Sequence, residues 1–163
     1  MGSRIIDLSH VLNEHITVYP DTVGPKFKLL NNVAEHGFAE LQVTMVLHSG
    51  THIDAPCHRL GGTKSLSDFP IDKFIGSATV IPCRGKKEIS LAYLKTFAER
   101  IAQVEFVLFF TGWQDRWKTD AYFEDCPLLT AEAAQWLATF NLKGVGLDAF
   151  SVDPVISANV VTE

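Results

Sequence analysis

The chain has 163 residues, 47% hydrophobic and 20% charged, with a formal net charge of -5 from 19 acidic and 14 basic side chains. This composition excludes an intrinsically disordered chain, and the length suits a single domain spanning 1–163. The acidic balance and the lack of a Lys/Arg stripe exclude nucleic acid and anionic membrane as principal partners, which leaves a small molecule or a metal ion.

In chain order, "MGSRIIDLSH" carries neither a long apolar run nor a cleavage pattern, and its "RIIDLSH" portion, 4–10, predicts a strand. "FAELQVTMVLHSG", 38–50, predicts a second strand, with Leu41, Val43, Met45 and Leu47 alternating with Gln42 and Thr44. "GSATVIPC" (76–83), "EFVLFFTG" (105–112) and "KGVGLDAF" (143–150) predict further strands, some buried on both faces. "SLAYLKTFAERIA", from Ser90, places Leu91, Leu94, Phe97, Ala98 and Ile101 on one helical face behind a serine N-cap. A second helix starts at Thr130 in "TAEAAQWLATF", with Glu132 in its first turn. Strands and helices alternate in the second half, so the expected class is α/β with a mixed β-sheet and flanking helices.

The most apolar stretch, "VEFVLFF" at 104–110, is too short to cross a bilayer. Cys57, Cys83 and Cys126 are odd in number and form no CxxC pair, which suits reduced thiols and a cytoplasmic protein.

The chemistry concentrates in "HSGTHIDAPCH", 48–58, which holds three of the six histidines. His48, His52, Asp54 and His58 share one parity, so an extended backbone sends their side chains to one side. A straight strand would still separate the Cα atoms of His48 and His52 by about 13 Å, far beyond the span of two metal–nitrogen bonds of about 2 Å. The chain must therefore bend, and Gly50 stands at the midpoint. "SGT" and "DAP" are poor helix material, so the cluster is expected where a strand ends in a bent loop. Two imidazoles and a carboxylate suit a catalytic Zn²⁺, Mn²⁺ or Fe²⁺ and leave positions for water and substrate. The carboxylate of Asp54 is also able to bridge two metals, and His58 is either a further ligand or a general acid/base. A histidine on its own is usually a surface or hydrogen-bonded residue, and that reading is kept for His10, His15 and His36. Cys57, of odd parity, is expected to be packed away.

This stretch resembles the HxGTHxDxPxH signature of the cyclase family of metal-dependent hydrolases, which includes bacterial kynurenine formamidase. "IIDLSHVLNEHITVYPD" resembles the family's opening strand and substrate-side loop. "FFTGWQDRW" resembles its TGW segment, and "LLTAEAAQWLATFNLKGVGLDAFSVDP" its helix leading into a GxDxxSxDP strand. The resemblance runs with gaps from about Ile5 to Pro154. It implies a swivelling βββ/α-type fold in a homo-oligomer, a divalent metal centre of zinc or manganese, and hydrolysis of an aryl-formamide or a cyclic amide. Carried over by position, it implies metal ligation by His48, His52 and Asp54, proton transfer by His58, and Tyr19 beside the substrate, where formamidases carry an aromatic residue, commonly Trp. The family pattern continues past "SVDP" through a further histidine and a glutamate that complete the metal site, whereas no histidine follows His58 here. The chain is accordingly expected to lack the family's C-terminal part, as a fragment in preference to a protein with a depleted site. The rival function is a non-catalytic metal-binding or interaction protein.

Outside the cluster, Trp113 and Trp117 are expected to cover the core in preference to lining a pocket. Asp148 and Asp153 are expected to form turns or caps, and "GGTKSL", 61–66, to be a loop after the motif.

Overall fold

The structure, a computed structural model, describes residues 4–154. The chain divides into two compact units, Met1–Asp68 and Phe69–Glu163.

In the first unit β1 (Lys26–Asn31) pairs antiparallel with β2 (Glu40–Thr44), Phe27 lying opposite Val43 and Leu29 opposite Leu41. One helical turn, α1 (Val33–His36), joins them. Asn32 caps it by accepting the Glu35 N–H at 3.0 Å, and Gly37 ends it at φ 77° with its N–H on the Val33 carbonyl. The sequence reading does not anticipate β1, because Lys26 and Lys28 alternate with Phe27 and Leu29 and only pairing with β2 gives that pattern a face. The strand expected over 4–10 belongs to no ladder among the described residues, and Ile5, Ile6 and Leu8 are exposed. Apolar alternation makes a strand only where a neighbour takes up its backbone hydrogen bonds.

The second unit holds β3 (Ala78–Pro82), β4 (Glu88–Ile89), α2 (Leu91–Lys95), α3 (Ala98–Ile101), β5 (Phe106–Phe110), β6 (Leu128–Leu129), α4 (Ala131–Leu137) and β7 (Gly144–Leu147). β3, β5 and β7 form a parallel sheet in that order, and they are the strands expected at 76–83, 105–112 and 143–150. Its register aligns Ile81, Phe109 and Leu147 on one face, and Ile81 and Phe109 are fully buried with Leu94, Ile101 and Ala133 of the helices. The expected α/β class with flanking helices is therefore present, with parallel and antiparallel pairs in separate sheets.

Ser90 and Thr130 cap α2 and α4, their hydroxyls accepting the N–H groups of Tyr93 and Ala133. The helix expected from Ser90 onward breaks into α2 and α3. The Thr96 hydroxyl donates to the Tyr93 carbonyl at 2.7 Å, and Phe97 leaves helical geometry at ψ 12°. Leu94 and Ile101 still reach one core, so the break preserves the buried face.

Lys143 fastens the entrance of β7. Its Nζ donates to the carbonyls of Asp72 and Ile75, each at 2.8 Å, and pairs with Glu105 Oε1 at 2.8 Å, while Glu105 Oε2 accepts the Ser77 N–H. The hydrogen bond from Lys143, then that from Ser77, holds the Glu105 carboxyl below its ordinary value of 4.5. A depressed carboxyl stabilises the fold above that ordinary value, and the contribution is lost as pH falls through the folded-state value. Chemical denaturation of wild type and Glu105→Gln across pH 3–7 is therefore expected to show wild type more stable near neutrality and the gap closing below about 4.5. For the core, Phe109→Ala is expected to cost about 3–5 kcal/mol in the same measurement.

Candidate metal centre

After β2 the chain leaves the ladder and turns at Gly50, whose φ of +68° is the left-handed conformation that glycine adopts at least cost. This is the bend that the histidine spacing requires. Past Ala55, Pro56–His58 forms a single 3₁₀ turn with proline at its start, closed by the His58 N–H on the Ala55 carbonyl at 2.9 Å. The two bends bring all four predicted side chains into one cluster.

His48 Nδ1 lies 2.5 Å from His52 Nε2, and Asp54 Oδ1 lies 3.2 Å from the first and 3.4 Å from the second. The other nitrogen of the His48 ring, Nε2, is 2.9 Å from His58 Nε2. His48, Asp54 and His58 also offer ligand atoms within 4.8 Å of one another, so His58 stands within reach of the same centre. The four side chains are partly open to solvent, with His48 at 39%, His52 at 32% and Asp54 at 52% exposure.

The donor chemistry fits a divalent cation. Two ligand atoms about 2.05 Å from a tetrahedral ion are about 3.3 Å apart, close to the two imidazole–carboxylate separations here, whereas the 2.5 Å between the two imidazoles is that of a short hydrogen bond and would widen on ligation. His52 Nδ1 is 2.7 Å from the Gly50 carbonyl oxygen, which only accepts, so Nδ1 carries a proton and Nε2 is the nitrogen that faces the cluster. Burial, the strongest influence, lowers the His48 pKa, opposed by Asp54 and reinforced by His58 and His52, which favours in that ring the neutral form a metal needs.

Cys57 departs from expectation: it is exposed, with its backbone N–H on the Lys64 carbonyl at 3.1 Å. Parity governs only an extended chain, and Cys57 sits inside the 3₁₀ turn. Tyr19 lies on a turn closed by the Thr22 N–H on its own carbonyl at 3.0 Å, and its side chain is partly exposed.

In the second unit Asp148 proves to be a cap. Oδ1 accepts the backbone N–H and the hydroxyl of Thr111 at 2.7 and 2.5 Å, and Oδ2 accepts the Gly112 N–H at 2.7 Å, fixing the turn that starts "TGW". Trp113 donates its indole N–H to the Tyr122 carbonyl and carries the Arg116 guanidinium 3.8 Å above its ring; Trp117 packs edge-on against buried Tyr122. Ser151 donates its hydroxyl to the Asp153 carbonyl. Sequence reasoning missed the Gly50 carbonyl as the partner that sets His52, although its i, i+2 spacing made the contact available.

Three comparisons bear on this geometry. The Cyclase family model matches residues 6–154. The chain is 34% identical over 154 residues to a kynurenine formamidase of Geobacillus thermodenitrificans, covering 93% of this chain and 71% of that one. It is 30% identical to a kynurenine formamidase of Bacillus cereus, covering 94% and 72%. Among solved structures, isatin hydrolase A from Labrenzia aggregata, bound to benzyl benzoate, superimposes with a TM-score of 0.78 at 23% identity, covering 92% of this chain and 69% of that chain. A "predicted metal-dependent hydrolase" from Bacillus stearothermophilus superimposes at 0.70 with 24% identity, covering 94% and 73%.

The His52 assignment is open to direct measurement. In the metal-free protein near pH 7, the ¹⁵N shifts of the His52 ring are expected to be those of the Nδ1–H tautomer; an Nε2–H ring would contradict it.

Proposed function

Because the chain belongs to the Cyclase family, we propose that it is a metal-dependent hydrolase that cleaves a small amide, an aryl-formamide or a cyclic amide, with His48, His52 and Asp54 as ligands of zinc or manganese. The observation that carries this reading is the convergence of His48 Nδ1, His52 Nε2 and Asp54 Oδ1 within 3.4 Å of one another. The names of the relatives, kynurenine formamidase and isatin hydrolase, support the substrate class.

When bound, the divalent cation supplies a water acidified toward a pKa of about 7 and a Lewis acid for the substrate carbonyl. The residues of the chain supply the rest. His48 and His52 would hold the cation through Nδ1 and Nε2, the second ring held in place by the Gly50 carbonyl. Asp54 brings a negative charge that offsets part of the cation's. His58, whose Nε2 lies 2.9 Å from His48 Nε2, is assigned the proton transfer, from the attacking water to the departing amide nitrogen, which leaves only when protonated. Tyr19 is assigned to the substrate side of the site.

The reading extends to a homo-oligomer in the cytoplasm acting on a small molecule. Phe27 and Val43, with Leu29 and Leu41, line one face of the β1–β2 ribbon, and Leu29 and Leu41 are both more than half exposed. A two-stranded ribbon is marginal alone, and covering this face with another copy supplies the burial it lacks. The three cysteines are all free, which suits a reducing compartment. Among the described residues no helix is long and apolar enough to cross a membrane.

Activity on a panel of aryl-formamides and cyclic amides is expected to vanish on chelation and return with Zn²⁺ or Mn²⁺; stoichiometric metal without turnover on any of them would instead favour the binding protein. His58→Ala is expected to reduce turnover about 10²- to 10⁴-fold with metal content unchanged, as read by elemental analysis. Loss of metal along with turnover would make His58 a ligand. Leu41→Asp is expected to shift the light-scattering mass toward the monomer.

A further inference from the structure

Ile16, Pro25 and Ser49 are the buried residues of the first unit among those described. Ile16 is 7% exposed, whereas Ile5, Ile6, Leu8, Val11 and Leu12 before it stand in solvent. The bend of the histidine loop lies against Ile16: a Cβ built on Gly50 would lie 2.8 Å from Ile16 Cδ1 and 4.0 Å from Leu12 Cδ1. The same segment touches the loop again one residue later, where the His10 N–H donates to Thr51 Oγ1 at 3.1 Å. A backbone hydrogen bond from the Ile16 N–H to the Asn13 carbonyl at 3.2 Å shapes the segment that presents the isoleucine.

We infer that Ile16 is a positioning residue of the metal centre: its side chain fills the space a side chain at Gly50 would occupy and so fixes the direction of the Gly50 carbonyl that holds His52 Nδ1. The chain of contacts is short. Ile16 Cδ1 lies 2.8 Å from the place a Cβ on Gly50 would take, the Gly50 carbonyl accepts from His52 Nδ1 at 2.7 Å, and His52 Nε2 faces His48 Nδ1 and Asp54 Oδ1. Glycine at position 50 thus answers its φ of +68° and also lets the Ile16 terminal methyl come within 2.8 Å of the place a Cβ would take, so that a methyl there displaces Ile16 Cδ1. A cavity at residue 16 frees the peptide to rotate, and a rotated carbonyl releases the His52 ring from the tautomer and orientation that ligation uses.

The inference rests on the metal-centre reading for its affinity readout, but the tautomer readout does not. In metal-free protein, Ile16→Ala is expected to move the His52 ring ¹⁵N shifts away from those of a single Nδ1–H tautomer. By competition titration it is expected to weaken Zn²⁺ or Mn²⁺ binding about 10- to 100-fold, the range for loss of an outer partner of a ligating histidine. Ile16→Val, which removes only the Cδ1 methyl and keeps the fold, is expected to shift both readouts in the same direction and less. Gly50→Ala is expected to bind more weakly still, and Gly50→Ala combined with Ile16→Val to bind more tightly than Gly50→Ala alone, because the second change removes the atom that the new methyl meets. Ile101→Ala, a core cavity in the other unit, is expected to lower stability with the affinity unchanged. Wild-type tautomer and affinity in both Ile16 variants, or strict additivity with Gly50→Ala, would overturn the role of Ile16. A wild-type chain that binds neither cation would overturn the hydrolase reading, and the metal-free tautomer comparison would then decide the role of Ile16 alone.

Discussion

The hydrogen bond from His52 Nδ1 to the Gly50 carbonyl is the contact on which the site depends. Two neutral imidazoles and a carboxylate brought within 3.4 Å repel one another through their lone pairs unless a proton or a cation lies between them. A free loop would relieve that repulsion by turning the rings outward. Here the His52 ring is tied to its own backbone two residues back, and that backbone is fixed in the left-handed region. The carbonyl decides which nitrogen carries the proton, and the remaining nitrogen faces His48 and Asp54. A backbone contact of this kind, worth one to two powers of ten in metal affinity, is equivalent to about 1.4–2.7 kcal/mol.

The two units meet this demand with different resources. The second has a conventional core in which Ile81, Val107 and Phe109 of the sheet are sealed by Leu94, Ile101, Ala133 and Leu137 of the helices. The first has a two-stranded ribbon, three buried residues among those described, and a loop of converging polar groups. Little hydrophobic burial is available there to hold a strained arrangement of donors. A ligand that binds only the folded loop stabilises it by mass action, so the metal-free and metal-loaded forms of this unit differ in stability more than those of the helical unit.

Legibility in the sequence followed contact distance along the chain. The site was readable because its donors lie within eleven residues and its spacing demanded a bend at the one glycine between His48 and His52. The three parallel strands were readable as short apolar runs, and the caps at Ser90 and Thr130 from a hydroxyl before an apolar face. What failed depended on distant partners. The segment 4–10 alternates like a strand but belongs to no ladder among the described residues, and Lys26–Asn31 becomes one only because Glu40–Thr44 pairs with it. Cys57 was misjudged because parity was carried into a 3₁₀ turn, and the Ile16–Gly50 contact spans 34 positions that no local pattern links.

Asp54 and Asp148 show why residue type and motif do not by themselves assign a role. Both follow a glycine-containing strand end or loop, and both belong to segments that resemble family motifs. Asp148 is engaged through both oxygens by two backbone N–H groups and a hydroxyl, all donors, so most of its accepting capacity goes to the turn it holds. Asp54 faces ring nitrogens instead, His48 Nδ1 at 3.2 Å and His52 Nε2 at 3.4 Å, and His52 Nδ1 is turned away to the Gly50 carbonyl. A carboxylate set against two imidazole nitrogens is a donor set that a divalent cation would complete. The donors around each aspartate, more than its place in the motif, separate the one that shapes a loop from the one that binds.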